Sequence, residues 1–142
     1  MTIQSFVHQN NLATGDRLIT EKGPLSKHHA IFVQIPGQVP LVAENQAGRG
    51  VQYITLEEFI QRAGAGKILI QKFEGSELER EGIVPRINAL LGTQYNLINF
   101  NCEHFANLVQ NGVASSAQVA VTIVGALIVG IGLLAFGGGR RR

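Results

Sequence analysis

Five short β-rich runs, each followed by turn-forming residues, constrain the fold of this chain most strongly. Short runs rich in Val, Ile, Leu, Thr and Phe that end at Gly, Pro, Asn or Asp are typical of β-strands. Gly23 and Pro24 predict a loop after the first run, and Gly48 and Gly50 predict a hairpin between the third and fourth. We therefore expect an antiparallel sheet of about five strands. The runs are residues 16–20, 29–33, 41–45, 51–54 and 67–73.

Helices are predicted between and after these runs. A capping box, in which Thr or Ser is followed three residues later by Glu, opens helices predicted over residues 55–63 and 76–91. Pro85 is expected to kink or restart the second of these helices. A third helix is predicted from Cys102 to about Val109. The predicted class is α+β, with this last helix packed on the antiparallel sheet.

The C-terminal part of the chain is much more apolar than the rest. Residues 119–136 carry no charged side chain, and an Arg-Arg-Arg tail follows at residues 140–142. As a helix this segment would be about 27 Å long, close to the thickness of a bilayer's hydrocarbon core. We therefore predict a domain at residues 10–112 and a hydrophobic membrane segment at residues 113–142. The alternative is a buried helix in a soluble core.

Charge and composition exclude some classes of function. The Arg tail contributes three positive charges to the formal net charge of +2, so the rest of the chain is close to neutral. The chain also has no Trp and only two Tyr, so nucleic acid is not an expected partner. The single cysteine excludes an internal disulfide and a cysteine-rich zinc site, and no cofactor is expected. A free thiol fits a reducing compartment, and residues 1–6 do not resemble a signal peptide. The sequence does not indicate an oligomeric state.

Cys102, the only cysteine, is the candidate nucleophile. It follows a polar, turn-forming stretch at residues 92–96 and lies in the first turn of the last predicted helix. Backbone N–H groups in that turn and the positive end of the helix dipole favour a thiolate, which is the nucleophilic form of cysteine. The same N–H groups are expected to bind the oxyanion formed during acyl transfer. The alternative is an inert buried cysteine.

A histidine on a neighbouring strand is the expected base. His28 and His29 point to opposite faces of a strand, so at most one of them faces the thiol, and the strand periodicity does not decide between them. His104 is about 200° around the helix from Cys102 and is expected to be a half-buried, hydrogen-bonded side chain that points away from it. His8 is expected to be solvated.

A third polar residue is expected to orient the base. Glu44 and Asn45 end the third predicted strand, and either one could accept a hydrogen bond from the second ring nitrogen of the histidine. Both residues remain candidates for this role. The alternative is that they begin the turn at residues 46–48.

The histidine run and the cysteine run both resemble motifs of the lecithin:retinol acyltransferase-like (LRAT) domain family. Residues 28–33, HHAIFV, resemble its H-x-[AG]-I-[YF]-V strand, and residues 101–105, NCEHF, resemble its N-C-E-H-F box. The resemblance covers about residues 12–136. It implies a permuted NlpC/P60 papain-like fold and assigns the base to His28. Members of that family carry a second histidine on the next strand, where this chain reads LVAEN at residues 41–45.

The resemblance implies cysteine-dependent acyl transfer or hydrolysis on phospholipid-type esters, as in a phospholipase A or acyltransferase. A thioester would form on Cys102, and His28 would act as acid and base. Membrane lipid is the implied substrate, with residues 119–136 in the membrane and the catalytic domain in a reducing compartment on the cytosolic side. Two other functions remain open: an NlpC/P60-type cysteine peptidase or amidase, and a non-enzymatic membrane-anchored interaction protein.

Overall fold

The predicted β-rich runs form a five-stranded antiparallel sheet. The strands are β1 Arg17–Glu21, β2 Lys27–Val33, β3 Leu41–Gln46, β4 Gly50–Thr55 and β5 Ile68–Gln71, and their spatial order is β4-β3-β2-β1-β5. Each end strand hydrogen-bonds one neighbour, and β2 lies at the centre of the sheet. The α+β class and the β3–β4 hairpin are confirmed.

The computed structural model describes residues 1–21, 26–64 and 67–112. The loop predicted at Gly23 and Pro24 and the hydrophobic segment predicted at residues 113–142 lie outside these ranges. Within the described ranges, no helix combines the length and the apolar character needed to cross a membrane.

Five helices accompany the sheet within the described ranges. The helix predicted over residues 76–91 is two helices, α3 Glu77–Glu81 and α4 Ile83–Leu90, and Gly82 separates them. The helix restarts near Pro85, as expected: Pro85 lies in the first turn of α4, where a missing N–H costs no helical hydrogen bond. The helices are α1 Ile3–Gln9, α2 Leu56–Ala63, α3 Glu77–Glu81, α4 Ile83–Leu90 and α5 Cys102–Asn111.

Helix α1 is the element that the sequence patterns did not predict. Thr2 caps it through a capping box with Ser5, and Ile3, Phe6 and Val7 pack against the core. Seven residues are too few for a stable isolated helix, so this apolar contact stabilises α1 more than its own sequence does.

The two faces of the sheet pack against different helices. Alternate residues of each strand point to opposite faces, so each strand contributes to both cores. The core on the α5 face contains Ile31, Val33, Ala43, Val51, Ile83, Ile87, Phe105, Ala106 and Val109. The core on the α2 face contains Leu18, Ala30, Phe32, Val42, Ile54, Leu56 and Phe59.

Candidate active site

Cys102 is the first residue of α5, as the sequence predicted, and its side chain is buried. The Asn101 side chain caps the helix by accepting hydrogen bonds from the N–H groups of Glu103 and His104, both at 3.0 Å. The Cys102 thiol is within 3.6 Å of the backbone carbonyl of Lys27, at the start of β2. The thiol is therefore placed beside the first residues of the central strand. The Asn101 cap engages two of the N–H groups that were expected to bind an oxyanion.

Asn45 holds the chain that leads into Cys102. Its side-chain nitrogen donates to the backbone carbonyls of Phe100 at 2.8 Å and of Asn101 at 3.3 Å. Both Asn45 and Glu44 are fully buried, but as neighbours on β3 they point to opposite faces of the sheet. Asn45 thus fixes the approach to the thiol helix and does not contact the histidine.

Glu44 is the residue that contacts His28. The register of β2 and β3 places Glu44 opposite Ala30, so Glu44 and His28 are diagonal neighbours on the α2 face. The His28 Nε2 atom and the Glu44 Oε1 atom are 2.7 Å apart, and both side chains are buried. Strand periodicity left the choices between His28 and His29 and between Glu44 and Asn45 open, and strand register brings His28 and Glu44 together.

Two further residues bind the Glu44 carboxylate, and sequence reasoning missed both. Gln52, directly opposite Glu44 on β4, donates to Oε2 at 2.8 Å. Arg62, at the end of α2, donates Nη1 to Oε2 at 3.1 Å and Nη2 to Oε1. Only the strand register and the packing of α2 bring these side chains to Glu44, so no local pattern could reveal them.

The pKa of Glu44 lies at about 2, below its usual value. Burial alone would raise this pKa, but hydrogen bonds from His28, Arg62 and Gln52 outweigh burial. Glu44 is therefore a carboxylate, which only accepts hydrogen bonds, and His28 Nε2 must be the donor. In the neutral imidazole the lone pair is then on Nδ1.

The environment of His28 links it to the thiol. Burial alone would lower the pKa of His28, but hydrogen bonding and charge interactions with Cys102 and Glu44 raise it above its usual value. The buried Nδ1 atom is the ring nitrogen that does not contact Glu44. The ring also stacks on Phe59, with the ring centroids 6.2 Å apart. The imidazole is thus held by Glu44 and Phe59 and interacts with Cys102.

His29 points to the other face and belongs to a different cluster. Its Nδ1 atom lies 3.3 Å from the Arg17 guanidinium, which also donates to Asn107 at 2.6 Å and to Gln110. Burial and the nearby charges of Arg17, His28 and Lys27 lower the pKa of His29 to about 4. His29 is therefore neutral at physiological pH and does not contact Glu44.

His104 is more deeply buried than the sequence predicted. It is fully buried, and its Nδ1 atom accepts a hydrogen bond from the backbone N–H of Asn101 at 2.8 Å. This bond completes a capping box with Asn101, so His104 contributes to the N-terminus of α5. His8, by contrast, is exposed as expected. In the described part of the chain, no cluster of three or more His, Cys, Asp or Glu side chains could hold a metal ion.

A buried thiol at a helix N-terminus, near an imidazole held by a carboxylate, is the arrangement that thiol-dependent acyl-transfer and hydrolytic proteins use. The chain belongs to the lecithin retinol acyltransferase family, whose sequence model matches residues 10–115. The structure thus places a cysteine, a histidine and a carboxylate together in a chain of this family.

Curated relatives in mammals resemble the chain over most of its length. The chain is 31% identical over 129 residues to phospholipase A and acyltransferase 3 of Homo sapiens, and the alignment covers 79% of each protein. It is 30% identical over 130 residues to the protein of the same name from Mus musculus, which covers 80% of both.

Proposed function

We propose that this chain catalyses cysteine-dependent acyl transfer or hydrolysis on phospholipid-type esters through a thioester acyl-enzyme. The observation that carries the proposal is the buried connection from Glu44 through His28 to Cys102. Glu44 fixes Nε2 as a donor and orients the ring, and Nδ1 is the atom available for proton transfer with the thiol. The family and the names of the mammalian relatives support an activity of this class.

The first half-reaction forms the thioester. The Cys102 thiolate attacks the ester carbonyl carbon, and the carbonyl π-electrons move to its oxygen to give a tetrahedral intermediate. When the intermediate collapses, the C–O bond to the lysophospholipid breaks. Protonated His28 donates its Nδ1 proton to the departing oxygen, so the lysophospholipid leaves as an alcohol.

The second half-reaction releases the acyl group. Neutral His28 takes a proton from water, or from an amine or alcohol acceptor, as that molecule attacks the thioester carbon. The C–S bond breaks, and Cys102 leaves as a thiolate beside the imidazolium. Water as acceptor gives phospholipase A activity, and an amine or alcohol gives acyltransferase activity. Glu44 remains a carboxylate and stabilises the imidazolium in both halves.

Exposed apolar side chains close to Cys102 in the sequence favour a lipid substrate. Leu97 and Ile98 are each 72% exposed, only a few residues before Cys102. Their loop has a defined shape, because the Asn96 side chain accepts the N–H groups of Ile98 and Asn99 at 3.0 and 2.9 Å. Large exposed apolar side chains suit contact with an acyl chain or a membrane surface better than contact with a polar peptide.

We also propose that residues 119–136 associate with the membrane and that the catalytic domain works in a reducing compartment on the cytosolic side. This part of the proposal rests on the uncharged sequence of the segment and on the lone thiol. We further propose that the fold is a permuted NlpC/P60-like arrangement, in which the histidine strand precedes the cysteine helix. An amidase or peptidase would use the same three residues on a different substrate.

The decisive experiment looks for the acyl-enzyme. The purified full-length protein is incubated with phosphatidylcholine vesicles, and intact-mass spectrometry with peptide mapping tests for an acyl adduct. We expect an adduct of one fatty acyl group on Cys102 in the wild type and none in Cys102→Ser. A wild type that stays unmodified, under conditions where a mammalian relative is acylated, would refute the proposal. Cleavage of soluble peptide amides without ester cleavage would instead support the peptidase or amidase alternative.

A further inference from the structure

Arg62 is a charged residue beside the site, and neither the chemistry of Cys102 and His28 nor the fold alone explains its position. It lies in the last turn of α2, and its side chain is 35% exposed, so part of the guanidinium reaches solvent. The rest of the guanidinium contacts both oxygens of the buried Glu44 carboxylate. A partly exposed arginine is stable in water without a buried partner. The contact therefore serves Glu44, which is buried and needs a counter-charge.

The Glu44 carboxylate is fully saturated by donors. Oε1 accepts from His28 and from Arg62, and Oε2 accepts from Arg62 and from Gln52. A carboxylate offers about four lone-pair positions, so these contacts use all of them. Burying a carboxylate is costly unless it is paired and hydrogen-bonded. Gln52 carries no charge, and His28 is charged only when protonated, so Arg62 is the permanent counter-charge of Glu44.

The contact with Arg62 also fixes the direction of the carboxylate. Two parallel N–H···O bonds to a planar guanidinium restrict rotation of the carboxylate plane, which one hydrogen bond does not. Arg62 itself is anchored, because its guanidinium lies 5.9 Å from the centroid of the Phe59 ring. The His28 ring stacks on the same Phe59. The imidazole and the guanidinium therefore both contact the Phe59 ring and the Glu44 carboxylate.

We infer that Arg62 is a positioning residue of this site: it holds the Glu44 carboxylate in the orientation that keeps His28 Nδ1 directed at Cys102. The inference rests on the proposed function only in naming Cys102 as the nucleophile. Without Arg62, the carboxylate loses its permanent counter-charge and the paired hydrogen bonds that restrict its rotation. Glu44 then takes up a proton at a higher pH, and the imidazolium that stabilises the Cys102 thiolate loses its partner.

Charged and titratable groups surround this cluster: Arg17 on β1 and Tyr95 interact with Cys102, and His29 on β2 interacts with His28. His28 on β2, Gln52 on β4 and Arg62 on α2 face Glu44, and Cys102 on α5 faces His28. His28 is the group whose charge changes near neutral pH. The direct contacts of Arg62 therefore connect it to the thiol through Glu44 and His28.

The test measures the reactivity of Cys102 without any lipid. Cys102 is the only cysteine, so the rate of alkylation by iodoacetamide reports on this thiol alone. Rates are measured from pH 4 to 9 for the full-length wild type, for Arg62→Met and for Arg62→Lys. Arg49→Met, an exposed arginine in the β3–β4 turn, is the matched control.

For Arg62→Met we expect the acid limb of the alkylation profile to move up by about one pH unit, with an approximately tenfold slower rate at pH 5. Arg62→Lys keeps the charge but loses the paired hydrogen bonds, so its profile should lie between those of the wild type and Arg62→Met. Arg49→Met should match the wild type. Superimposable profiles for the wild type and either Arg62 variant would overturn the inference, and the lysine variant preserves the test if the methionine variant does not fold.

A double variant separates positioning through Glu44 from a general structural role. In a Glu44→Gln background, Arg62→Met should change the alkylation profile no further, because its route to the thiol has been removed. Additive effects would overturn the inference. If phosphatidylcholine vesicles acylate Cys102 but the Arg62 variants do not change the alkylation profile, the proposed function stands and the role of Arg62 is refuted. If the Arg62 variants change the alkylation profile but vesicles give no acyl adduct, only the lipid function is refuted.

Discussion

Replacing Glu44 with glutamine removes the charge at the centre of the site but keeps the shape of the side chain. The amide oxygen can still accept a hydrogen bond from His28, so the variant mainly reports how much the negative charge contributes to the free energy of unfolding. Glu44 is fully buried, and its pKa of about 2 lies well below its ordinary value of 4.5. A depression of this size corresponds to about 3 kcal/mol in favour of the folded, ionised form at neutral pH.

The sign of the pH dependence follows from the direction of this shift. The folded state favours the ionised carboxylate, so its contribution is complete above pH 4.5 and is lost as the pH falls through about 2. At pH 3 about 2 kcal/mol of the contribution should be gone. The difference in free energy of unfolding between wild type and Glu44→Gln should therefore shrink from about 3 kcal/mol at pH 7 to about 1 kcal/mol at pH 3.

Urea denaturation at pH 7, 5 and 3, followed by far-ultraviolet circular dichroism, measures this difference directly. Glu74→Gln is the control, because Glu74 is an exposed glutamate and its replacement should change stability by less than about 0.5 kcal/mol at every pH. An equal destabilisation of Glu44→Gln at pH 7 and pH 3 would refute the reasoning. It would mean that the substitution acts through packing and that the charge of Glu44 does not stabilise the fold.

Three further changes test other contacts. Burial and nearby cations lower the pKa of His29 to about 4, so wild-type stability should fall between pH 6.5 and 4, and His29→Gln should flatten that fall in urea titrations. Asn101→Ala removes the cap of α5 and should cost about 1 kcal/mol and slow alkylation of the thiol. Gly50→Ala places a Cβ against the backbone carbonyl of Thr93, so thermal unfolding should show a larger loss of stability than for Gly48→Ala, where φ is similarly positive but the space is open.

Local signals in the sequence located most of the elements. Strand runs, turn glycines and capping residues act over a few positions, so they are visible without the fold. The errors occur where tertiary contacts outweigh such signals. Strand β5 ends at Gln71, two residues before the end of its run, because the Phe73 N–H donates to the Asp16 side chain. Helix α1 was missed because packing of its apolar side chains stabilises it.

For the site, the sequence determined the chemical groups, and the tertiary structure decided which of them meet. The motifs at residues 28–33 and 101–105 indicated a thiol and an imidazole, and the run at residues 41–45 offered a carboxylate and an amide. Neighbouring strand residues point to opposite faces, so sequence spacing alone left Glu44 and Asn45 equivalent. The register of β2 with β3 directs Glu44 to His28, and the packing of α2 brings Arg62 to Glu44. Register and helix packing depend on contacts between distant residues, and that is why only the folded chain assembles this site.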